Sequence, residues 1–494
     1  MLFSSLTFVL AFLPLTLAAV LLGRRLYGSS GARFALTAAS LLFYGLWGWK
    51  LLPVLILVAG LNYRVSYSIF RGTARSRRRW LAFGIAANLV VLIAFKYTNF
   101  LIDNVNAVTG LAVPFAEIAF PIGISFFTFQ QIAYLVAVAN DMEPPESFWE
   151  YLLFVSCFAY VTAGPIVGAR EFFSQRDQIG RLTPSRFAVG ITVFSIGLLK
   201  KVIIAESFAP YANHLFEQAQ RNGAVGTWDA WLGSWSYFLQ LYFDFSGYSE
   251  MALGLGVLLG LRLPLNFNSP LRATSAIEFW QRWHMTLTRF LTGYLFMPLS
   301  VRQARYVATR KTGRVIGFVR VYAMPVMVTF VLAGLWHGSN WTFAVFGAWW
   351  GIALVINHAW RQARLVRLPV WLAWVFTMLG ALIGMVMFRS PDLHTCATVL
   401  ASMAGLGAAM VPSQLVLAKT LAMILLVTVA CLVAPNTPQV MDGWNISADS
   451  VQKTSSTLSW RWKLDARGLA FTALIIIALV IAGEQTSPFL YYQF

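Results

Sequence analysis

Five histidines are scattered through 494 residues, at positions 214, 284, 337, 358 and 394, and two of them sit in company that could do chemistry. His337 falls in GLWHGSNW, at the turn between two apolar runs whose far ends carry Arg320 and Arg361. A helix from Arg320 to His337 would rise about 25 Å, close to the roughly 30 Å of a hydrocarbon core. His337 is therefore expected deep, toward the side away from the basic residues. An imidazole is costly to bury charged, so it is expected neutral there and able to accept a proton. Gly334 and Gly338 permit close backbone approach, while Trp336 and Trp341 could wall a pocket. The competing reading is a Trp/His pair at the membrane boundary. His284 lies in EFWQRWHMTLTRF, a basic and aromatic segment. If that segment is one helix, Trp280, His284 and Leu287 share a face, with Arg282 and Arg289 turned elsewhere. Substrate binding, a second catalytic imidazole and interfacial packing all stay open for it.

Asp244 and Glu250 fall in LYFDFSGYSEMALGLG, an otherwise apolar stretch. A carboxylate inside a membrane is a functional-site candidate by default, yet it often only pairs with a nearby Lys or Arg. The structural reading is favoured for both. Lys200 and Lys201 end an apolar run and are expected to snorkel to a headgroup surface. Cys157, Cys396 and Cys431 are far apart and odd in number, with neither a disulfide framework nor metal spacing. The chain has no Walker A loop, no Rossmann fingerprint after a strand, no GxSxG elbow and no HExxH. GLGVLLG, residues 254–260, sits in an apolar run, where glycines serve helix packing better than phosphate binding.

The elements that must position these residues are membrane helices. The chain is 58% hydrophobic and 11% charged, outside the range of soluble globular domains. Apolar runs of about 20 residues recur, and roughly 11 to 13 could span a bilayer. The first, Ser5 to Leu22, lacks a basic n-region and is followed by Arg24 and Arg25, so it is expected to be a retained helix with its N-terminus outside. The next two, near 33–48 and 51–70, return the chain to the same side at RGTARSRRR. The formal charge of +18 is concentrated in short loops, Arg71 to Arg79, Arg302 to Arg320 and Arg361 to Arg367. That is a positive-inside pattern rather than a nucleic-acid face, with anionic lipid as a further partner of the basic side. PIGISFFTFQQ and YVTAGPIVGARE, between 120 and 170, and residues 264–300 are broken by Gly, Pro and charge. Such backbone is tolerated at membrane depth only when buried in protein or lining a cavity, so partial, re-entrant or interfacial helices around an internal chamber are expected, with an ordinary amphipathic cytoplasmic loop as the alternative. Residues 435–466 read as a solvent-exposed loop before a final span at 469–482. Residues 1–494 are expected to form one integral-membrane domain.

Eight segments then carry a resemblance: FPIGISFFTFQQIAYLV, AGPIVGAREF, YFDFSGYSEMALGLG, LNFNSP, EFWQRWHMTL, YLFMPL, GLWHG and the terminal SPFLYYQF, in this order from about residue 120 onward. Together they resemble the membrane-bound O-acyltransferase family, in its alginate-type, exopolysaccharide-acetylating branch. The resemblance implies an all-α fold of tilted membrane helices around a central tunnel. It implies that His337 is the catalytic histidine and His284 the second histidine of this branch. A neutral His337 would take the proton from an acceptor hydroxyl as that oxygen attacks a thioester carbonyl. Asn340 or the Trp341 indole could steady the oxyanion, with Trp336, Asp244, Trp280 and Arg282 as further tunnel or substrate-binding candidates.

The implied donor is acetyl-CoA, used as a substrate with no tightly bound cofactor and no metal. The acceptor is an exported polysaccharide, reached directly or through a periplasmic SGNH-like partner, and the location is a bacterial inner membrane. The segment TGYLFMPLSV stands where alginate-type relatives read RDYLYIPLGG, and VAVAND where they read VDVYRG, which leaves the acceptor glycan open. D-alanyl or longer-acyl transfer from a carrier protein is the alternative within the same chemistry. A transporter or flippase is the alternative outside it, and the inverted repeats it would need are not visible.

Overall fold

The computed structural model describes residues 1–310, 312–407, 414–449, 456–483, 487, 489 and 490, and among these the secondary structure is helical, with one isolated bridge between Leu263 and Ser447. The elements that matter for the site are α1 (Leu13–Gly48), α2 (Leu52–Phe70), α3 (Ala74–Lys96), α4 (Ile124–Ala139), α5 (Pro184–Leu199), α6 (Glu206–Asn222) and α7 (Thr227–Leu259). They are followed by the short α8 (Ala276–Arg282) and α9 (Met285–Leu291), then α10 (Met324–His337), α11 (Trp341–Gln362), α12 (Val370–Arg389) and α13 (Ala466–Ala482).

Among the described residues, six helical stretches are long and apolar enough to cross a membrane, and four shorter apolar helices accompany them. The first stretch, Phe8–Phe70, is folded into legs. It reverses at Tyr27 and Gly28, where Gly28 takes φ 66°, directly after Arg24 and Arg25. Leucines and valines such as Leu10, Leu57 and Val480 are 71–76% exposed. On a water-soluble surface such a belt would drive aggregation, and on a membrane helix it is the lipid face. The protein is an all-α, multi-pass membrane protein.

A buried polar knot joins three helices of the bundle, pairing groups that lipid cannot satisfy. Asn62 on α2 donates to Asn88 Oδ1 on α3 (3.1 Å) and to Gln131 Oε1 on α4 (2.9 Å), and Asn88 donates back to Asn62 Oδ1 (2.7 Å). This knot fixes the rotation of α3 about its axis. The buried residues of α3 are Gly84, Asn88 and Leu92, one stripe at four-residue spacing.

The two lysines after α5 do not snorkel. Lys200 reaches Glu250 at 2.5 Å, and Lys201 reaches Asp244 at 2.6 Å and Glu206 at 3.0 Å, with Lys201 and Asp244 only 7% and 1% exposed. The close packing of α5 on α7 brings both lysines under two carboxylates of α7, and pairing there replaces hydration. The carboxylates read as structural are thus ion-paired. The C-terminal segment joins the same cluster: Lys201 donates to Ser487 Oγ (3.1 Å), the Leu490 N–H donates to Asp244 Oδ2 (3.0 Å), and Phe489 stacks on Tyr248. The rest of the SPFLYYQF motif, Pro488 and residues 491–494, lies outside the described residues.

The expected solvent loop at 435–466 is another correction. Thr437, Val440, Met441, Ile446 and Trp462 are buried, and Asp449 accepts from Arg289 (2.7 Å) and from the Leu265 N–H (2.8 Å). Its apolar residues fold back under the helices, a long-range contact that a polar average over the segment hides. Residues 450–455 of it lie outside the described residues.

Candidate active site

His337 is the last residue of α10, at the end away from Arg314 and Arg320, as the helix-length argument expects. Two glycines make the position. A Cβ on Gly334 would stand 2.1 Å from the Phe343 carbonyl oxygen of α11, and one on Gly338 would stand 2.0 Å from the Phe343 ring. Only glycine lets α10 turn back against α11 this tightly, so the GLWHG motif places an imidazole at the apex of a helical hairpin. Around it stand the rings of Trp336 at 5.0 Å, Phe388 at 5.1 Å and Phe346 at 6.0 Å between centroids. Trp336 is locked in turn, stacked on Phe129 at 5.0 Å, with its indole N–H donating to the Ser125 carbonyl at 3.3 Å.

The structure brings His284 to His337: their ring centroids are 6.4 Å apart, with 56° between the planes. The segment that carries His284 is not the single helix that would align Trp280, His284 and Leu287. The helix α8 stops at Arg282, and His284 sits in the left-handed region (φ 44°, ψ 51°) before α9 begins at Met285. A non-glycine residue held there is strained and needs surroundings that fix it. Asn266, from the buried LNFNSP stretch, supplies them. Its backbone carbonyl accepts from the Met285 N–H (2.9 Å). Its Oδ1 accepts from the Thr286 hydroxyl (2.7 Å) and stands 3.1 Å from His284 Nδ1, while its amide nitrogen donates to Ser249 Oγ (3.2 Å). With the Asn266 oxygen facing it, Nδ1 of His284 is the N–H donor, which leaves Nε2 as the acceptor nitrogen of that ring. The break in the helix is what turns the ring inward.

A cavity of ≈ 190 Å³ opens against His337, lined also by Trp336, Lys96, Ser125, Phe126, Thr162 and Trp47. Other residues anticipated for this site are engaged elsewhere. Asn340 caps α11, accepting from the Thr342 N–H (3.0 Å), and donates to the Pro391 carbonyl (2.6 Å). Trp341 is 54% exposed and donates to Asn104 Oδ1 (3.0 Å). Trp280 packs edge-on against Trp350 at 5.2 Å. Arg282 is paired with Glu278 at 2.7 Å, and Asp244 with Lys201. None of these five lines the cavity. Each is committed to capping, stacking or ion pairing by neighbours that the local sequence does not reveal.

Sequence reasoning missed Lys96 and Asn266. Asn266 stood inside the quoted LNFNSP motif without a role. Lys96 carried a readable signal: it falls four residues beyond Leu92 on the buried stripe of α3.

The chain is similar along most of its length to known acyltransferases. Over aligned lengths covering the whole of both chains, the sequence is 35% identical to a probable alginate O-acetylase of Azotobacter vinelandii. It is 36% identical to a peptidoglycan O-acetyltransferase of Helicobacter pylori over 82% of this chain and 80% of that one. A teichoic acid D-alanyltransferase of Streptococcus thermophilus is 28% identical over 49% of this chain and 58% of that protein. The profile of the membrane-bound O-acyltransferase family matches residues 137–389, a span that holds both His284 and His337. The chain is an O-acyltransferase and belongs to the membrane-bound O-acyltransferase family.

Proposed function

We propose that this enzyme moves an acetyl group from acetyl-CoA on the cytoplasmic side of a bacterial inner membrane to a hydroxyl in an exported polysaccharide pathway, with His337 as the general base. The observation that carries the reading is the imidazole of His337 at the wall of a cavity, with a second imidazole 6.4 Å behind it. Acetyl is favoured over D-alanyl because the relatives named for acetylation align over four-fifths or more of this chain, and the D-alanyltransferase over about half.

In this reading the acceptor hydroxyl gives its proton to His337 as its oxygen bonds to the thioester carbonyl. The tetrahedral adduct then collapses, the C–S bond breaks, and the imidazolium returns the proton to the departing CoA thiolate. General-base help of this kind is worth about 10²–10⁴-fold. His284, fixed by Asn266, holds the second imidazole against the first. The basic start of α3 and the arginines that precede α10, Arg314 and Arg320, face the cytoplasm by the positive-inside rule, which puts His337 toward the outer side and the N-terminus outside. Only the acyl group then has to cross. A periplasmic SGNH-like partner would carry it onward to the glycan.

The test is acetyl transfer by the protein in nanodiscs supplied with radiolabelled acetyl-CoA, comparing wild type with His337→Ala. Label transferred or released by wild type alone supports donor and base together. A folded wild type without turnover redirects the donor to a carrier protein or points to a missing partner. Equal turnover by both proteins removes His337 from the mechanism.

A further inference from the structure

A lysine at the end of a membrane helix ordinarily sends its ammonium to the headgroups. Lys96, at the end of α3, does not. Its position at four-residue spacing after Gly84, Asn88 and Leu92 puts it on the inward stripe, which the Asn62–Asn88–Gln131 knot holds in register. The ammonium instead donates to the carbonyl oxygens of Trp336 (2.6 Å) and His337 (2.9 Å) and lies 3.4 Å from Ser125 Oγ. The next residue, Tyr97, donates its hydroxyl to the Leu335 carbonyl at 2.7 Å. Lys96 and the residue that follows α3, Tyr97, thus hold three successive carbonyls of α10, the last of them belonging to His337 itself.

The final carbonyls of a helix have no partner within it, and the negative end of the helix dipole favours a cation there. A solvated helix end would be satisfied by water and would fray. This one is held at fixed distances by an ammonium that is itself anchored on α3. Of the described residues lining the cavity beside His337, Lys96 is the one that carries a formal charge at pH 7.

We propose that Lys96 is a positioning residue for His337. Its ammonium, assisted by the Tyr97 hydroxyl, clamps the last turn of α10 so that the imidazole stays at the cavity wall in register with His284. This rests on the reading of His337 as the base. A misplacement of about 1 Å at a reacting group can cost on the order of 10²-fold in rate, so the clamp acts on kcat rather than on substrate affinity.

The experiment compares Lys96→Met, Lys96→Arg, Tyr97→Phe and His337→Ala with wild type in nanodiscs. It measures thermal stability, kcat and KM for acetyl-CoA, and amide hydrogen exchange in the peptide that spans Leu335 to Gly338. Lys96→Met is expected to lower kcat by about 10- to 100-fold at nearly unchanged KM, and to speed exchange in that peptide. Lys96→Arg is expected to recover most of the rate, because a guanidinium can reach the same carbonyls. Tyr97→Phe, which keeps the charge, is expected to give a smaller fall in kcat, and it carries the test if Lys96→Met does not fold.

Wild-type kcat in both Lys96→Met and Tyr97→Phe overturns the proposal. So does a rise in KM alone, which would make Lys96 a substrate contact, or unchanged exchange in folded variants. If neither variant folds, Lys96 is a folding residue and the proposal falls. Full activity of His337→Ala, or no wild-type turnover, counts against the base or the donor instead, and the exchange measurement still decides the clamp.

Discussion

The imidazoles of His284 and His337 meet at 6.4 Å between centroids, although one ends a membrane-length helix and the other sits at the break between two short ones. Neither element could bring its histidine there alone. The pair exists because α10 turns back on α11 through Gly334 and Gly338, and because Asn266 holds the left-handed kink at His284.

Asn266 orients His284 through a single oxygen. Asn266→Ala is expected to lower kcat about tenfold or more with the protein still folded, since the ring loses the acceptor that fixes its Nδ1–H. Asn266→Asp keeps an acceptor at that place and is expected to retain more activity. Steady-state kinetics on the two variants check this, and equal loss in both would remove the acceptor from the account.

The Lys201–Asp244 pair is deeply buried, with Glu206 as a third member. Removing one partner leaves an uncompensated charge, so Lys201→Met is expected to destabilise the protein by about 3–5 kcal/mol. Lys201→Met combined with Asp244→Leu is expected to be milder than Lys201→Met alone. Thermal unfolding in detergent, followed by intrinsic tryptophan fluorescence, measures both.

Close packing at the hairpin is a further test. Gly334→Ala sets a methyl group 2.1 Å from the Phe343 carbonyl oxygen, so α10 and α11 must separate. A stability loss of about 1–3 kcal/mol is expected for such overpacking, and activity should fall by more than stability does because His337 rides on the displaced turn. Gly380→Ala, where nothing lies within 4 Å of the added carbon, serves as the control with little effect.

Orientation can be read with single cysteines. Arg75, in the basic cluster at the start of α3, and Thr109, beyond its far end, are both exposed. A membrane-impermeant maleimide added to intact spheroplasts is expected to label Thr109→Cys and to spare Arg75→Cys. The reverse pattern would invert the topology and place His337 near the cytoplasm.

The amino-acid sequence by itself determined the solvent of this protein and the end of the helix that carries His337. Hydrophobic length, the placement of arginines and the Gly-flanked histidine of GLWHG are local properties, and bilayer thickness turns them into depth. For that reason a helix-end imidazole at His337 was legible, which the structure shows buried, as were the carboxylates Asp244 and Glu250 as ion-pairing groups. What only the tertiary structure decided are the contacts between segments distant in the chain. Lys200 and Lys201 look like snorkelling residues until α7 is laid beside α5. Asn340, Trp341, Trp280 and Arg282 look available until their capping, stacking and pairing partners are in place. Asn266 and Lys96 look ordinary until one meets the kink at His284 and the other the end of α10. Inside a membrane each polar group must find a partner within the protein, and that partner is set by packing across the bundle rather than by neighbours in sequence.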